Sequence, residues 1–168
     1  NSIGVRIYDV SDPANPVVTF DAEIDGSFVQ ARRVGDTVYL VNRFTPYIEG
    51  ISYDTTSADN RAANADILAD VNLDALLPRI HIDGVANDLV DPLQCFVTTD
   101  AGEAIGYPTL TTITALSISN PDARETLCYN EPTYGVYVSS TSAYLTQYQW
   151  EPDNQDTTRI HKFVLSSM

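Results

Sequence analysis

The sequence predicts an all-β fold of antiparallel strands with one insertion made mainly of loop and helix. Three observations predict it: a seven-residue strand pattern that occurs three times, a hairpin pattern that occurs twice, and a polar, alanine-rich stretch between them. Internal repeats indicate an architecture assembled from one unit of supersecondary structure. The order of strands can therefore be worked out from the repeat.

The repeated strand occupies residues 5–11, 113–119 and 160–166 (VRIYDVS, ITALSIS and IHKFVLS). Each copy starts with a β-branched residue, has an aliphatic residue at its sixth place and ends in serine. The large apolar residues at the fourth place are Tyr8, Leu116 and Phe163. Alternation of this kind is typical of a half-buried strand, so all three copies are predicted to be equivalent strands.

Turn signals accompany the repeat. Asp12-Pro13 follows the first copy and Asn120-Pro121 follows the second, and both pairs favour a tight turn. Residues 32–41 and 137–146 align through a shared Tyr-Leu pair, and each is predicted to be a hairpin. The strand VVTFDAEI follows the first turn, and ETLCY follows the second.

The spacing of the copies locates the insertion. Ile113 and Ile160 are 47 positions apart, a usual length for one four-stranded propeller blade, whereas Val5 and Ile113 are 108 apart. We therefore assign residues 1–43 and 111–168 to propeller strands, and residues 44–110 to an insertion.

Within the insertion, apolar residues recur at helical spacing before a proline. These residues are Ile67, Leu68, Val71 and Ala75, and the proline is Pro78. The pattern predicts a short helix near residues 61–77. Its apolar face is expected to pack against a sheet edge or another subunit.

Cys95 and Cys128 are the two cysteines, 33 positions apart, without a CxxC pair. That spacing argues against a structural zinc site. The pattern favours one disulfide, and two buried thiols are the alternative.

The charge excludes some partners. The chain has 9 Lys and Arg against 23 Asp and Glu, a net charge of -14, with no basic cluster beyond Arg32-Arg33. Such a chain repels nucleic-acid backbones and anionic lipids. No apolar run is long enough to span a bilayer.

The segments VRIYDVSDPANPVV, DGSFVQARRVGDTVYLVNR, LLPRI and TTITALSISNPDA together resemble the secreted β-propeller domain family of bacteria and archaea, which is distantly related to tryptophan-aspartate repeat propellers. The resemblance covers nearly the whole chain. It implies antiparallel propeller blades, about two of a larger propeller, in an exported protein that tolerates or uses calcium. Propellers close with roughly four to eight blades.

Candidate binding and metal residues are those that the repeat does not explain. The aromatic or imidazole candidates for binding a partner are Tyr47, Tyr53, His81 and Trp150. The candidate calcium ligands, in two acidic loops, are Asp54, Asp59, Asp153, Asn154 and Asp156. Solvated turns are the alternative explanation of these loops. His161 stands where the other copies have Arg6 and Thr114, so we interpret it as structural.

No motif of a known catalytic class occurs in the sequence. We therefore expect a non-catalytic, secreted or extracytoplasmic binding or scaffold module rather than an enzyme. Its expected partner is a protein or carbohydrate outside the cell, and self-association through incomplete blades is a further expectation. The alternative is a fragment of a secreted hydrolase whose catalytic residues lie on loops.

Overall fold

A computed structural model describes residues 1–97, 108–149 and 157–165. Within these ranges the chain forms one α-helix and twelve β-strands. The elements in chain order are β1 (Ser2–Asp9), β2 (Val17–Asp25), β3 (Ser27–Val34), β4 (Thr37–Phe44), α1 (Ala58–Asp70), β5 (Arg79–Ile82), β6 (Val85–Asp88), β7 (Cys95–Phe96), β8 (Leu110–Ser117), β9 (Arg124–Tyr129), β10 (Gly135–Val138), β11 (Ser142–Gln149) and β12 (Thr157–Val164). Short 3-10 turns occupy Leu73–Leu76 and Pro92–Gln94.

The strands form three sheets. The first sheet has the order β1-β2-β5-β6, the middle sheet β3-β4-β8-β9-β7, and the third sheet β10-β11-β12. Every pairing is antiparallel except that of β7 with β9, where Cys95 lies opposite Cys128. The all-β prediction with antiparallel blades and a helix-bearing insertion is therefore confirmed.

The three copies of the repeated strand are β1, β8 and β12, and each lies in a different sheet. The two predicted turns also match, because the N–H of Asn15 bonds to the carbonyl of Asp12 and that of Ala123 to the carbonyl of Asn120. The middle sheet contains one complete unit of four repeat strands, β3, β4, β8 and β9. The first sheet holds two strands of such a unit, and the third holds three.

The middle sheet lies between the other two. On one side Leu40 and Leu116 pack with Phe20 and Ile80 of the first sheet. On the other side Val41 of β4 packs with residues of the third sheet such as Leu145. Burial on both faces explains why residues 39–42 of β4 are all buried, whereas β1 alternates.

Position in this stack decides whether a repeat residue is buried. Leu116 is 6% exposed, but its counterpart Tyr8 is 47% exposed. Tyr8 belongs to β1, an edge strand of an outermost sheet. The equivalence of the two positions in the repeat therefore does not extend to burial, because no further sheet covers Tyr8 in the described part of the chain.

The insertion contributes more than a helix. The hairpin of β5 and β6 extends the first sheet beyond β2, and β7 adds to the middle sheet. The helix runs over Ala58–Asp70, so it begins before residue 61 and ends before residue 77, the predicted limits, and Val71 is extended. No residue of α1 is buried. Its Asn64 exchanges two hydrogen bonds with the backbone of Ser52, which attaches the helix to the loop before it.

Candidate functional site

A groove with a volume of about 800 Å³ lies between the middle sheet and β12, an edge strand of the third sheet. This volume is within the range of ligand-binding clefts in proteins. The lining comes from β12 and the residue after it, from Tyr39 of β4, from β8 and β9, and from residues 89–96 of the insertion, a segment that contains the second 3-10 turn and β7. The apolar lining residues are Tyr39, Leu89, Leu93, Phe96, Ile113, Ala115, Leu127, Phe163, Val164 and Leu165.

Apolar side chains in the groove remain open to solvent. Leu93 is 93% exposed, Val164 79% and Phe96 56%. Charged residues also line the groove, with Arg124 beside Glu125 on β9 and Asp91 on the insertion segment. The groove is therefore mainly apolar with a few charged residues, which is typical of surfaces that bind another molecule.

The disulfide fixes one wall of this groove. Cys95 and Cys128 are bonded, which connects the insertion segment to β9, and no cysteine of the described chain is free. The N–H of Asn130 also bonds to the carbonyl of Phe96 at 2.9 Å. Asp91 caps the 3-10 turn of this wall, because its carboxylate accepts a hydrogen bond from the N–H of Leu93. The groove wall is therefore attached to the sheet by a covalent bond and a hydrogen bond.

Aromatic rings join the wall to the third sheet. The ring centroid of Phe163 lies 6.5 Å from that of Phe96 and 5.9 Å from that of Tyr129, both in edge-on arrangements. Aromatic pairs at these distances contribute about 0.5–1.5 kcal/mol beyond the area they bury. Phe163 thus packs against the disulfide-linked segment and against β9.

A buried polar cluster lies beside these rings. The hydroxyl of Tyr129 donates to Oε2 of Glu131 at 2.6 Å and is 2.9 Å from Nε2 of His161. Glu131 is 2% exposed, and its Oε2 is 3.7 Å from Nε2 of His161. The hydroxyl of Thr111 donates to the Glu131 carbonyl at 2.6 Å. These contacts connect the middle sheet to β12 through hydrogen bonds.

The cluster has the groups for proton transfer, a carboxylate, a phenol and an imidazole. In the described part of the chain, however, no serine or cysteine side chain is hydrogen-bonded to His161. Gln147 lies diagonally across the strand pair from His161, since Leu145 is opposite His161. Its buried Oε1 has no hydrogen-bond partner among the described residues.

The three predicted binding residues that the structure describes lie in two parts of the insertion. Tyr47 is 84% exposed and Tyr53 is 76% exposed, both in the loop before α1. His81 lies on β5 with Nε2 3.4 Å from Oδ1 of Asp25. Within the described residues no hydrogen bond, ion pair or ring contact joins these three side chains, and Trp150 lies outside the described residues.

Of the predicted calcium ligands, Asp54 and Asp59 lie within the described residues. Asp54 accepts hydrogen bonds from the N–H and hydroxyl of Thr56, at 3.1 and 2.6 Å. These bonds lower the pKa of Asp54, with the hydroxyl bond as the larger cause. Asp59 lies in the first turn of α1. Asp153, Asn154 and Asp156 lie outside the described residues.

Over the ranges that the structure describes, no group of three or more histidine, cysteine or acidic side chains is placed to hold a metal ion. The calcium prediction as a whole stays a prediction.

Sequence reasoning missed the groove residues. Leu93 and Phe96 flank Cys95, so the cysteine was a signal, but nothing in the sequence shows that they remain exposed. Glu131 was also missed, because an acidic residue after a strand usually indicates a solvated turn. Its burial depends on the contact between two sheets.

Comparison with known proteins agrees with this architecture, since the family model described as a beta propeller domain matches residues 1–168. The chain belongs to the beta propeller domain family. No curated protein and no solved structure matches it. In this propeller chain, the groove lies beside the three-stranded sheet. Within the described ranges, no helix has the length and apolar character needed to cross a membrane.

Proposed function

We propose that this propeller chain is a non-catalytic, extracellular binding module whose recognition surface is the groove between the middle sheet and β12. One observation carries the proposal: the groove combines a volume of about 800 Å³ with apolar side chains left exposed on both sides. Exposed apolar surface lowers its free energy when a partner covers it.

The contacts that hold the two sides of the groove support recognition without a large rearrangement. The disulfide and the Phe96–Phe163 contact attach its two sides to the stacked sheets. A surface that is held in place before binding loses less conformational entropy when the partner arrives. The disulfide also supports a secreted or extracytoplasmic location, since such bonds persist in oxidising compartments.

A secreted hydrolase is the second candidate, and the Tyr129–Glu131–His161 cluster is the observation that favours it. The burial of Glu131 argues against it, because a general acid or base has to reach the reacting atoms. The hydrogen bonds of the cluster also have a structural explanation, because a buried carboxylate requires hydrogen-bond donors.

The test is a binding screen of the intact chain against a glycan array and a library of extended peptides, with calcium and then with chelator. Leu93→Asp places a charge in the groove, and Leu68→Asp on α1 is the matched control, because both leucines are exposed. We expect binding that Leu93→Asp reduces at least about tenfold and Leu68→Asp leaves unchanged. Loss of binding with chelator would support a role for calcium.

A panel of generic hydrolase substrates is measured in parallel. Turnover that is lost in His161→Ala and retained in Leu93→Asp would overturn the binding function and support the hydrolase. Binding that is equally strong in Leu93→Asp and the unmodified chain would show that the groove is not the recognition surface. Sedimentation over a range of protein concentrations tests self-association through incomplete blades.

A further inference from the structure

The two cysteines of the disulfide lie in different surroundings. Cys95 is partly buried and lines the groove, whereas Cys128 is 0% exposed. Cys128 belongs to the apolar cluster between the first and middle sheets, which also contains Ile80 and Leu89. A thiol in solution therefore reaches this disulfide from the groove, at the sulfur of Cys95.

A thiol that exchanges with this bond has to come from another molecule. The sequence contains two cysteines, and both are used in the bond. Thiol–disulfide exchange proceeds by attack of a thiolate on one sulfur and passes through a mixed disulfide. These 168 residues hold no third cysteine that could attack the bond from within.

Attack by a molecule with a single thiol is readily reversed. The incoming sulfur bonds to Sγ of Cys95, the original S–S bond breaks, and its electron pair leaves on Sγ of Cys128. Apolar burial disfavours a charged thiolate at that position. The pairing of β7 with β9 also keeps Cys128 directly opposite Cys95. The Cys128 thiolate therefore attacks the mixed disulfide, expels the single thiol and restores the bond.

A dithiol completes the reaction. Its second thiolate attacks its own sulfur in the mixed disulfide, which forms a disulfide within the reductant and releases Sγ of Cys95. Two electrons pass from the dithiol to the protein, and its two protons end on Cys95 and Cys128. Because this second step is intramolecular for the reductant, it competes with the return attack by Cys128.

Few other bonds hold this side of the groove on β9. The parallel pairing of β7 covers Cys95 and Phe96 alone, and the N–H of Asn130 bonds to the carbonyl of Phe96 at 2.9 Å. Upstream, Leu89 and Val90 are 7% and 4% exposed and pack in the cluster between the first two sheets. Opening the disulfide is therefore expected to release residues 91–96 and to leave the stacked sheets in place.

We propose that the Cys95–Cys128 bond is a redox switch of the groove, in which Cys95 is the site of attack and dithiols rather than single thiols open the bond. Opening detaches residues 91–96 from β9 and weakens binding in the groove. This inference rests on the proposed function, because it names the regulation of the same groove.

Selectivity for dithiols is measured on the folded, intact chain. The chain is incubated with dithiothreitol, or with glutathione at the same thiol concentration, and free cysteines are then alkylated and counted by mass spectrometry. The control is the same comparison in urea, which corrects for the different reducing strengths of the two reagents. We expect the ratio of reduction rates, dithiothreitol over glutathione, to be at least about tenfold larger in the folded chain than in urea. Equal ratios would refute the selectivity.

Two single-cysteine variants test the site of attack. Cys128→Ala leaves Cys95, and Cys95→Ala leaves Cys128, so both variants lose the same bond. We expect oxidised glutathione to modify Cys95 at least about tenfold faster than Cys128 in the folded variants, and at equal rates in urea. If either variant is unfolded, the mixed disulfide of the intact chain with glutathione is trapped with acid and located by peptide mapping. Modification of Cys128 in either experiment, at a rate equal to that of Cys95, would contradict the assignment.

Hydrogen exchange tests the release of the wall. After reduction with dithiothreitol, exchange at Leu93 and Phe96 should become at least about tenfold faster, while exchange at Leu145 in the core between the middle and third sheets stays the same. Reoxidation should restore the slow exchange. Unchanged exchange at Phe96 in the reduced chain would show that the bond does not control the wall.

The effect on binding separates this inference from the proposed function. The glycan or peptide selected by the binding screen should bind the reduced chain at least about threefold more weakly than the oxidised chain, because the wall is no longer held in place before binding. Equal affinity of the two forms, with binding still lost in Leu93→Asp, would overturn the switch and leave the proposed function standing. A screen without any binder would overturn the proposed function and, with it, the regulation of the groove.

Discussion

The hydroxyl of Tyr129 donates a hydrogen bond to Oε2 of Glu131 at 2.6 Å, and the two side chains are 4% and 2% exposed. A buried carboxylate without a donor is costly, so this bond is part of what allows Glu131 to lie between two sheets. His161 of β12 adds a contact to the same hydroxyl at 2.9 Å. The polar cluster therefore connects the third sheet to the middle sheet.

Tyr129→Phe removes this hydroxyl and keeps the ring. We expect a loss of about 1–3 kcal/mol in the free energy of unfolding, because the Glu131 carboxylate loses its donor in a buried position. Urea unfolding measures the change. Tyr53→Phe, at a 76% exposed tyrosine, is the control and should change stability by less than about 0.5 kcal/mol. Equal stability of the two variants would contradict the structural role of the cluster.

Gly26 connects the first sheet to the middle sheet in a conformation that favours glycine, with φ of +116°. A Cβ there would lie 2.5 Å from the carbonyl oxygen of Arg43. Gly26→Ala should lower the free energy of unfolding by about 2–4 kcal/mol, since strain and overpacking add. Gly4→Ala is the matched control, because a Cβ at Gly4 meets nothing within 4 Å. Thermal unfolding that shifts no more for Gly26→Ala than for Gly4→Ala would refute this prediction.

Asp36, in the turn between β3 and β4, accepts hydrogen bonds from two serines at the end of β8 and just after it. The hydroxyl of Ser119 donates to it at 2.6 Å and that of Ser117 at 2.8 Å, and these bonds with the Ser119 N–H lower the pKa of Asp36. A lowered folded-state pKa gives stability that is present above the unfolded-state pKa of about 4 and is lost as the pH falls through the folded-state value.

The free energy of unfolding should fall as the pH drops below about 4, and it should fall less in Asp36→Asn than in the unmodified chain. Urea midpoints at pH 5, 4 and 3 measure it, with Asp66→Asn on α1 as the control. A pH profile that Asp36→Asn leaves superimposed on that of the unmodified chain would show that the serine bonds do not matter for stability.

The Cys95–Cys128 bond attaches the groove wall to β9. Replacing both cysteines by alanine should cost about 3–4 kcal/mol by the loop-entropy estimate for a separation of 33 residues. In this variant, hydrogen exchange at Leu93 and Phe96 should be faster than in the unmodified chain. Exchange at Leu145, which lies in the core away from the wall, should change less. Two reactive thiols in the denatured, unreduced protein would contradict the bond, and unchanged exchange at Phe96 would contradict its role in the wall.

The sequence by itself determined the strands of the repeat and their order, but not the strands β5, β6 and β7 of the insertion. Residues such as Leu116 and Phe163 occupy the same place in copies of one strand, and Asp12 and Asn120 begin the same turn, because these features depend on neighbouring residues alone. The pairing of Cys95 with Cys128 was also predictable, since the described chain offers no other cysteine.

The tertiary structure decided which faces of those strands are covered. Tyr8 and Leu116 hold equivalent places, yet Leu116 is buried between two sheets and Tyr8 is exposed on an edge strand. The exposure of Leu93 in the groove and the burial of Glu131 between two sheets both follow from how three sheets stack. Burial depends on residues that are distant in sequence, and no local pattern contains that information.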